Sequence, residues 1–208
     1  MSNVLQVQWT IEATTTPRPV LPCSRCGAQR PFSFSGKARL NANGDRLDAW
    51  LIYNCSNCGK TWNRPLFERL QRHRVDGVTL AALHAKDALW LEPHAFDATA
   101  LRRHTSAIEF SEDKKVLKRV ISSIDSAFLT MNIDIRTPYP LGFRLDQLLS
   151  AELGISRARL ESFVRGGRLT CSPARKNGLR RPLPPYLNVE LKLEGLSDAN
   201  EILQSAVT

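Results

Sequence analysis

The chain has 208 residues, of which 42% are hydrophobic and 24% are charged, close to the values of ordinary globular proteins. These proportions exclude a wholly disordered chain, a collagen and a bundle of membrane-spanning helices. Lysine and arginine total 29 against 20 acidic residues, which gives a formal net charge of +9. A chain this basic often has an anionic partner, most commonly a nucleic acid, although it can also be merely basic and soluble.

The compartment follows from what the sequence lacks. No apolar stretch approaches the roughly 18–20 residues that a membrane-spanning helix needs, so we expect no membrane partner. The opening segment MSNVLQVQWTIEA also lacks the basic region and apolar run of a signal peptide. We therefore expect a cytoplasmic protein, in which thiols stay reduced.

Two short cysteine pairs mark the N-terminal part of the chain. They are Cys23 with Cys26 in PCSRCG, and Cys55 with Cys58 in NCSNCGK. In a reducing compartment, two C-x-x-C units are typical of a structural zinc site, and four thiolates close the tetrahedral shell of one ion. The alternatives are two disulfides or four free thiols. A redox pair would instead lie beside a βαβ unit, a pattern that the sequence does not show.

Glycines define the expected local structure around these pairs. Gly27 and Gly59 follow the second cysteine of each pair, where a tight turn often needs a positive φ. Asn43-Gly44 predicts a hairpin that brings the two pairs together. Because its arms are uneven, we expect a bulge or an extra turn near Gly36.

A family resemblance rests on these same segments. WTIEATTTPRPV, the CSRCG turn, LNANGDRLDAWLIYNCSNCGKTWN and the FERL run resemble an uncharacterised bacterial family, domain of unknown function 1062. The resemblance covers residues 8–70 well and the rest of the chain more loosely. The family name implies no activity. The resemblance therefore supports the N-terminal zinc-ribbon module without adding chemistry to it.

The middle of the chain is predicted to be mostly helical. Helix spacing in PLFERLQRH, VTLAALHAKDALWL and EDKKVLKRVISSI predicts three helices, the last capped by Ser111, and Asp97 predicts the start of another. FLTMNIDI alternates as a half-buried strand does, and the stiff connector Arg136–Pro140 then suggests a domain boundary.

Four histidines fall in this middle region. They are His73, His84, His94 and His104. No ligand spacing such as H-E-x-x-H connects them, so we interpret them as surface or helix-end residues, the alternative being a second metal site or a general base. An enzyme that uses His84, His94 or Asp97 is a further alternative, but no catalytic motif supports it, and we predict no enzymatic activity and no small-molecule substrate.

The C-terminal part has a clear element order. Leucines at helix spacing predict a helix that ends at Gly154, Ser156 is expected to cap a second helix over RARLESFVRGG, and RLTCS and YLNVELKL predict two strands. Arg144-Leu145-Asp146, Leu149, Ser156-Arg157 and the Val164-x-Gly166 step make this order similar to the alpha-L RNA-binding domain of small-subunit ribosomal protein four. The chain departs from that pattern after Arg168, where a longer and more basic turn, LTCSPARKNG, leaves the register of the second strand open.

The resemblance implies that this part binds the shape and phosphates of structured RNA, and the charge agrees. Eight basic residues and one acidic residue lie between Arg157 and Arg181. Arginine forks match phosphate geometry, and each neutralised phosphate releases counterions. The alternative is a solvated basic face. The predicted RNA-binding residues are Arg144, Ser156, Arg157, Arg159, Arg165, Arg168, Arg175, Lys176, Arg180 and Arg181.

The sequence thus predicts an α+β protein of three parts. Residues 1–63 form an antiparallel zinc ribbon with one structural Zn²⁺, residues 64–137 a helical middle, and residues 138–208 a small alpha-L RNA-binding-like domain. The expected function is non-catalytic binding of ribosomal or transfer RNA, with the ribosome or a protein as further partners. The alternative is a protein–protein adaptor that binds through exposed aromatics such as Trp9, Trp50 or Trp62 and contacts an acidic partner with its basic tail.

Overall fold

A computed structural model of the protein describes residues 4–110, 113–122, 130–139, 141–174 and 176–208. Within these ranges the protein is mixed α/β, with two five-stranded sheets and six α-helices. The chain divides into two compact units. We call Thr15–Ser111 the central unit, and Met1–Thr14 with Glu112–Thr208 the terminal unit. No helix in the described ranges has the length and apolar composition needed to cross a membrane.

The elements follow one another in a fixed chain order. The strands are β1 (Val4–Ala13), β2 (Arg18–Cys23), β3 (Ala28–Asn43), β4 (Arg46–Cys55), β5 (Thr61–Gln71), β6 (Ile108–Glu109), β7 (Lys114–Val120), β8 (Thr130–Arg136), β9 (Leu169–Ser172) and β10 (Tyr186–Lys192). The helices are α1 (Gly77–Ala85), α2 (Ala88–Ala95), α3 (Ala98–Arg102), α4 (Leu145–Leu153), α5 (Arg157–Arg165) and α6 (Ala199–Val207).

The central unit is built on an antiparallel sheet of order β5-β4-β3-β2-β6. The predicted hairpin is confirmed: Asn43 pairs with Arg46, and Gly44 takes a φ of 60° at the first turn position, as two-residue hairpins of the primed types require. The predicted irregularity is confirmed as well, because the register of β3 shifts between Phe34 and Lys37. Strands β2 and β4 both run antiparallel to β3. The last residues of β2 and β4, which are Cys23 and Cys55, therefore lie at the same end of the sheet.

Two of the predicted helices are wrong. PLFERLQRH lies in β5 up to Gln71, and its last two residues lie in the 3-10 turn Arg72–Arg74. EDKKVLKRVISSI lies largely in β7, while its proposed cap Ser111 falls outside the described residues. Strand β5 pairs with β4, and β7 pairs with β1. The hydrogen bonds between these strands override an apolar spacing that suits a helix and a strand equally well. The segment VTLAALHAKDALWL, predicted as one helix, is instead divided between α1 and α2, because Lys86 ends α1 in a left-handed conformation with a φ of 54°. The predicted helix start at Asp97 is confirmed in α3, where Asp97 Oδ1 accepts from Ala100 N at 2.9 Å.

The terminal unit is built on a sheet of order β7-β1-β8-β10-β9. Strand β1 runs antiparallel to β7 and parallel to β8, and β10 runs antiparallel to both β8 and β9. Helices α4 and α5 and strands β9 and β10 occur where the sequence predicts them. Trp9 of β1 is fully buried and donates its Nε1–H to Ala206 O at 2.9 Å, so it is not one of the exposed aromatics that the adaptor hypothesis needs.

The two units do not follow the predicted boundaries after residues 63 and 137. Strand β1, expected in the zinc ribbon, belongs to the terminal unit because its partners β7 and β8 lie more than 100 residues further along the chain. The predicted helical middle is shared between both units and contains strands as well as helices. Alternating apolar residues in β1 predict a strand with one buried face, but they do not identify the strand beside it.

Candidate metal centre and nucleic-acid interface

Four cysteine Sγ atoms meet at one end of the hairpin in the central unit. Cys23 ends β2 and Cys55 ends β4, while Cys26 and Cys58 lie in the turns that follow. The Sγ atoms of Cys23 and Cys58 are 3.5 Å apart, those of Cys26 and Cys55 are 3.9 Å apart, and all four lie within 4.8 Å of one another. The β3–β4 pairing therefore brings together ligands that are distant in sequence.

Each cysteine turn closes on a glycine. Gly27 N donates to Cys23 O and Gly59 N donates to Cys55 O, both at 2.9 Å. The two glycines have φ of 65° and 72°, which confirms the positive φ expected from the sequence. Apart from the adjoining residues, no heavy atom of the described chain lies within 4 Å of a Cβ built at either position, so backbone conformation rather than space requires glycine here.

The sulfur spacing fits a tetrahedral ion. Zn–S bonds of about 2.3 Å place the sulfurs of a tetrahedral shell about 3.8 Å apart, between the 3.5 Å of the Cys23–Cys58 pair and the 3.9 Å of the Cys26–Cys55 pair. A disulfide needs about 2.05 Å, and all four cysteines are free. Cys23, Cys26, Cys55 and Cys58 can therefore bind a metal ion together.

Hydrogen bonds bias the protonation of these thiols. Asn57 Nδ2 donates to Cys26 Sγ at 3.3 Å, which lowers the pKa of Cys26 because the bond stabilises the thiolate. The backbone N–H of Lys60 also lowers the pKa of Cys58, but burial and hydrogen bonds with the other three thiols outweigh it and raise the pKa to about 12. A cation bound by the four sulfurs has to displace these protons, so its affinity decreases as the pH falls.

A row of charged side chains follows one face of α5 in the terminal unit. Arg157, Glu161 and Arg165 are spaced four residues apart, so they lie on neighbouring turns of the same face. Arg180, in the turn after β9, donates from Nε and Nη2 to Glu161 Oε1 at 3.0 and 2.5 Å. This ion pair connects α5 to the turn that carries Arg180.

The predicted RNA-binding residues fall into two groups. Arg157, Arg165, Lys176 and Arg181 are exposed, and none has an ion-pair partner within the described part of the chain. Arg175 lies outside the described residues. We call the exposed residues, together with the Glu161–Arg180 pair, the basic face.

The second group makes intramolecular contacts. Arg159 forms a bidentate pair with Asp198 at 2.5 and 2.7 Å, and Arg168 Nη1 donates to the carbonyls of Lys192 and Glu194 at 2.9 and 2.7 Å. The two other members of the group, Arg144 and Ser156, form hydrogen bonds at the first turn of a helix. Arg144 pairs with Asp146 at the start of α4, and the Ser156 hydroxyl accepts from Arg159 N at the start of α5. The side chains in this group therefore hold the unit together.

Two of the four histidines pack against aromatic rings of the central unit, while His73 and His84 are exposed. His94 lies against Trp90 with ring centroids 4.2 Å apart, His104 lies 5.3 Å from Trp62, and Trp62 also contacts Tyr53. Burial is the main cause of a lowered pKa for His94. Among the described residues, only the four cysteines group as potential metal ligands, so the structure shows no second site of this kind there.

The structure also shows a residue that the sequence did not single out. Arg64, on β5, is only 2% exposed and donates from Nη1 to His94 O at 2.7 Å and to the Tyr53 hydroxyl at 3.4 Å. It immediately precedes PLFERLQRH, the segment wrongly predicted to be a helix. In the strand it lies opposite Leu51, on the buried face, and this placement depends on the register between β4 and β5.

Comparison with known proteins gives a family and no activity. The family model described as "Protein of unknown function (DUF1062)" matches residues 40–175, which include Cys55, Cys58 and all of α5. No curated protein and no solved structure matches the chain. The function must therefore be argued from the geometry of the two sites.

Proposed function

The chain belongs to the DUF1062 family, whose description carries no activity, and we propose that it is a non-catalytic RNA-binding protein with one structural Zn²⁺. The basic face is the observation that carries the proposal. Its four exposed cations, Arg157, Arg165, Lys176 and Arg181, form no ion pair among the described residues and so remain available to phosphates.

The spacing on α5 suits an extended polyanion. Arg157 and Arg165 are eight residues apart, about 12 Å along the helix axis. The turn fixed by Arg180 adds Lys176 and Arg181 to the same region. Such a surface favours a backbone with many phosphates over a single small anion, which one pair of cations would satisfy.

The element order supports RNA over DNA. Helices α4 and α5 followed by strands β9 and β10 are what the resemblance to the alpha-L domain implies, and that domain binds structured RNA such as ribosomal or transfer RNA. Duplex RNA is recognised mainly by shape and phosphate contacts, which need no exposed aromatic platform. In this chain β10 also pairs with β8, so an alpha-L-like part would be one section of a larger sheet.

The cysteine cluster supports zinc in a structural role. A shell of four thiolates leaves no open coordination position for a substrate or water, and soft sulfur ligands favour zinc over magnesium or calcium. We call the two cysteine turns, residues 23–27 and 55–59, the knuckles. With a bound ion they replace part of the core that the ends of β2 and β4 would otherwise need. The proposed zinc ribbon therefore stabilises the central unit and has no catalytic role.

Charge reversal tests the RNA-binding proposal. We expect the triple variant Arg157→Glu, Arg165→Glu, Arg181→Glu to bind a labelled RNA hairpin at least about tenfold more weakly in about 0.1 M salt, because phosphate contacts are lost. The slope of log affinity against log salt should decrease in magnitude by about 2–3. Fluorescence anisotropy at several salt concentrations measures both quantities.

The matched control is Lys115→Glu, Arg119→Glu, Lys192→Glu, which makes the same change in net charge elsewhere in the terminal unit. These three side chains are exposed, and no ion pair is recorded for them in the described ranges. Equal loss of affinity in both triple variants would show that RNA binding depends only on net charge. The assignment of RNA binding to the basic face would then be wrong. Unchanged affinity in the first variant would contradict the proposal directly.

Elemental analysis of freshly purified, unchelated protein tests the metal. We expect about one zinc per chain, and close to none in a Cys23→Ser, Cys55→Ser variant, because two ligands are lost from the shell. If another metal is found at one per chain, the site is correct but its metal is not zinc. If no metal reaches about one per chain, both the zinc and the metal site are wrong.

A further inference from the structure

A cleft lies between α5 and the turn after β9, the turn that carries Arg180. Its volume is about 320 Å³, within the range of small-molecule sites. The described residues that line it are Glu161, Val164, Arg165, Asn177, Gly178, Leu179 and Arg180. The cleft therefore opens directly beside the basic face, whose Arg165 and Arg180 it shares.

The walls of the cleft include apolar surface. Val164 is 43% exposed, although it lies one residue before Arg165, and Leu179 is buried at 7% exposure. A single exposed valine is ordinary on a flat surface, but here it lines a concave site between two arginines. Such a wall suits the flat face of a ring and contributes nothing to the binding of a simple phosphate ion.

The rim of the cleft offers both hydrogen-bond donors and acceptors. Both bonds from Arg180 go to Oε1 of Glu161, so Oε2 of Glu161 and Nη1 of Arg180 have no partner within the described part of the chain. The exposed Asn177 adds an amide, which both donates and accepts. Nucleobase edges likewise carry donors and acceptors side by side.

We infer that this cleft binds one unpaired nucleotide of the RNA that lies along the basic face. The base contacts Val164 and Leu179, its edge meets the Glu161–Arg180 rim, and Arg165 contacts its phosphate. This inference rests on the proposed function and adds to it a preference for RNA with a bulged or looped-out nucleotide over a continuous duplex. Unstacked bases at such positions are the usual targets of RNA recognition.

Two labelled RNA hairpins test the inference, identical except for one bulged nucleotide in the stem. We expect the wild-type protein to bind the bulged hairpin about tenfold more tightly, the order of one base contact. Val164→Ser should reduce this preference to less than about twofold and leave the continuous hairpin unaffected, because only the apolar contact is removed. The matched control is Val78→Ser, at a position that is 73% exposed in the central unit, and it should keep the full preference.

The possible results separate this inference from the proposed function. Equal wild-type affinity for the two hairpins would overturn the nucleotide cleft and leave RNA binding by the basic face in place. An equal effect of Val164→Ser on both hairpins would also overturn it. Failure of the wild-type protein to bind either hairpin would overturn the proposed function, and the nucleotide cleft with it. Thermal unfolding of each variant checks that the fold is intact.

Discussion

At the scale of single residues, the buried arginine of the central unit has an identifiable task. Arg64 lies at the C-terminal end of α2, where the Nη1 of its guanidinium donates to His94 O and where the Tyr53 hydroxyl donates to Ala95 O at 3.4 Å. A cation at this end of a helix satisfies its last carbonyls and complements the helix dipole. This contact compensates part of the cost of burying a guanidinium whose Nε has no partner among the described residues.

Replacing this arginine should destabilise the central unit. We expect Arg64→Ala to lower the free energy of unfolding by about 2–4 kcal/mol, because it leaves a buried carbonyl unpaired and opens a cavity. Arg39→Ala, at an exposed position on β3, is the control and should cost less than about 1 kcal/mol. Urea unfolding of the metal-loaded protein measures both, and equal losses would show that Arg64 is not a helix cap.

The Arg144–Asp146 pair gives a pH-dependent prediction at the same scale. Burial raises the pKa of Asp146, but hydrogen bonds from Arg144 and from Gln147 N outweigh it, so the pKa lies below the usual 3.8. The pair therefore stabilises the fold above the unfolded-state pKa, and this contribution is lost as the pH falls through the lowered folded-state pKa. We expect Asp146→Asn to cost about 1–2 kcal/mol at pH 7 and much less at about pH 3.

Urea unfolding of wild type and variant, compared at each pH, measures this difference. Loss of metal in acid affects both proteins and cancels in the comparison. A cost for Asp146→Asn that is the same at both pH values would show that ionisation of Asp146 does not contribute.

At the scale of elements, the start of α5 combines a cap with the first arginine of the basic face. The Ser156 hydroxyl accepts from Arg159 N at 3.3 Å, and Arg157 follows it on the exposed side. The other end of α5 continues through Gly166 and Gly167 into β9. The position of α5, and with it the placement of Arg157 and Arg165 on the unit, depends on these two ends.

We expect Ser156→Ala to destabilise the protein by about 0.5–2 kcal/mol through loss of this cap. Affinity for the continuous RNA hairpin should change by less than about twofold at a temperature where the variant is folded, since the cations remain in place. Thermal unfolding and anisotropy measure the two effects. Ser156→Thr, which retains a capping hydroxyl, is the control, and a large loss of affinity in Ser156→Ala alone would assign the hydroxyl to RNA contact.

At the scale of the whole molecule, the two units depend on different sources of stability. The central unit has a small core and the four-cysteine cluster, while the terminal unit has a larger apolar core that includes Trp9, Met131 and Leu191. Metal-binding free energy is folding free energy where the site forms only in the folded chain. Removal of the ion should therefore affect the units unequally.

We expect chelation to raise hydrogen exchange in peptides from β2, β3 and β4 strongly, with little change in peptides from β8 and β10. Cysteines of the cluster end β2 and β4, and β3 pairs with both of these strands, whereas β8 and β10 carry none of the four. Exchange measured by mass spectrometry before and after chelation tests this, and re-addition of zinc is the control. An equal rise in both units would show that they unfold as one, and no rise in β2–β4 would show that the ion does not stabilise the fold.

The sequence could predict features that depend on nearby residues. The C-x-x-C spacing with Gly27 and Gly59 identified the knuckles, and Asn43-Gly44 identified the hairpin, because turns restrict φ over a few residues. The caps at Asp97 and Ser156 were predictable for the same reason. Apolar spacing failed in β5 and β7, where short runs suited a helix and a strand equally well.

Other properties were decided by the tertiary structure. The place of β1 between β7 and β8, the burial of Arg64, and the separation of Arg159 and Arg168 from the basic face depend on partners far away in the chain. Composition counts charges but does not show which are neutralised by a carboxylate or a carbonyl after folding. By itself the sequence determined the local turns and the four cysteines that can bind a metal ion, because short-range geometry is encoded there. Long-range packing selected which strands pair and which cations stay free.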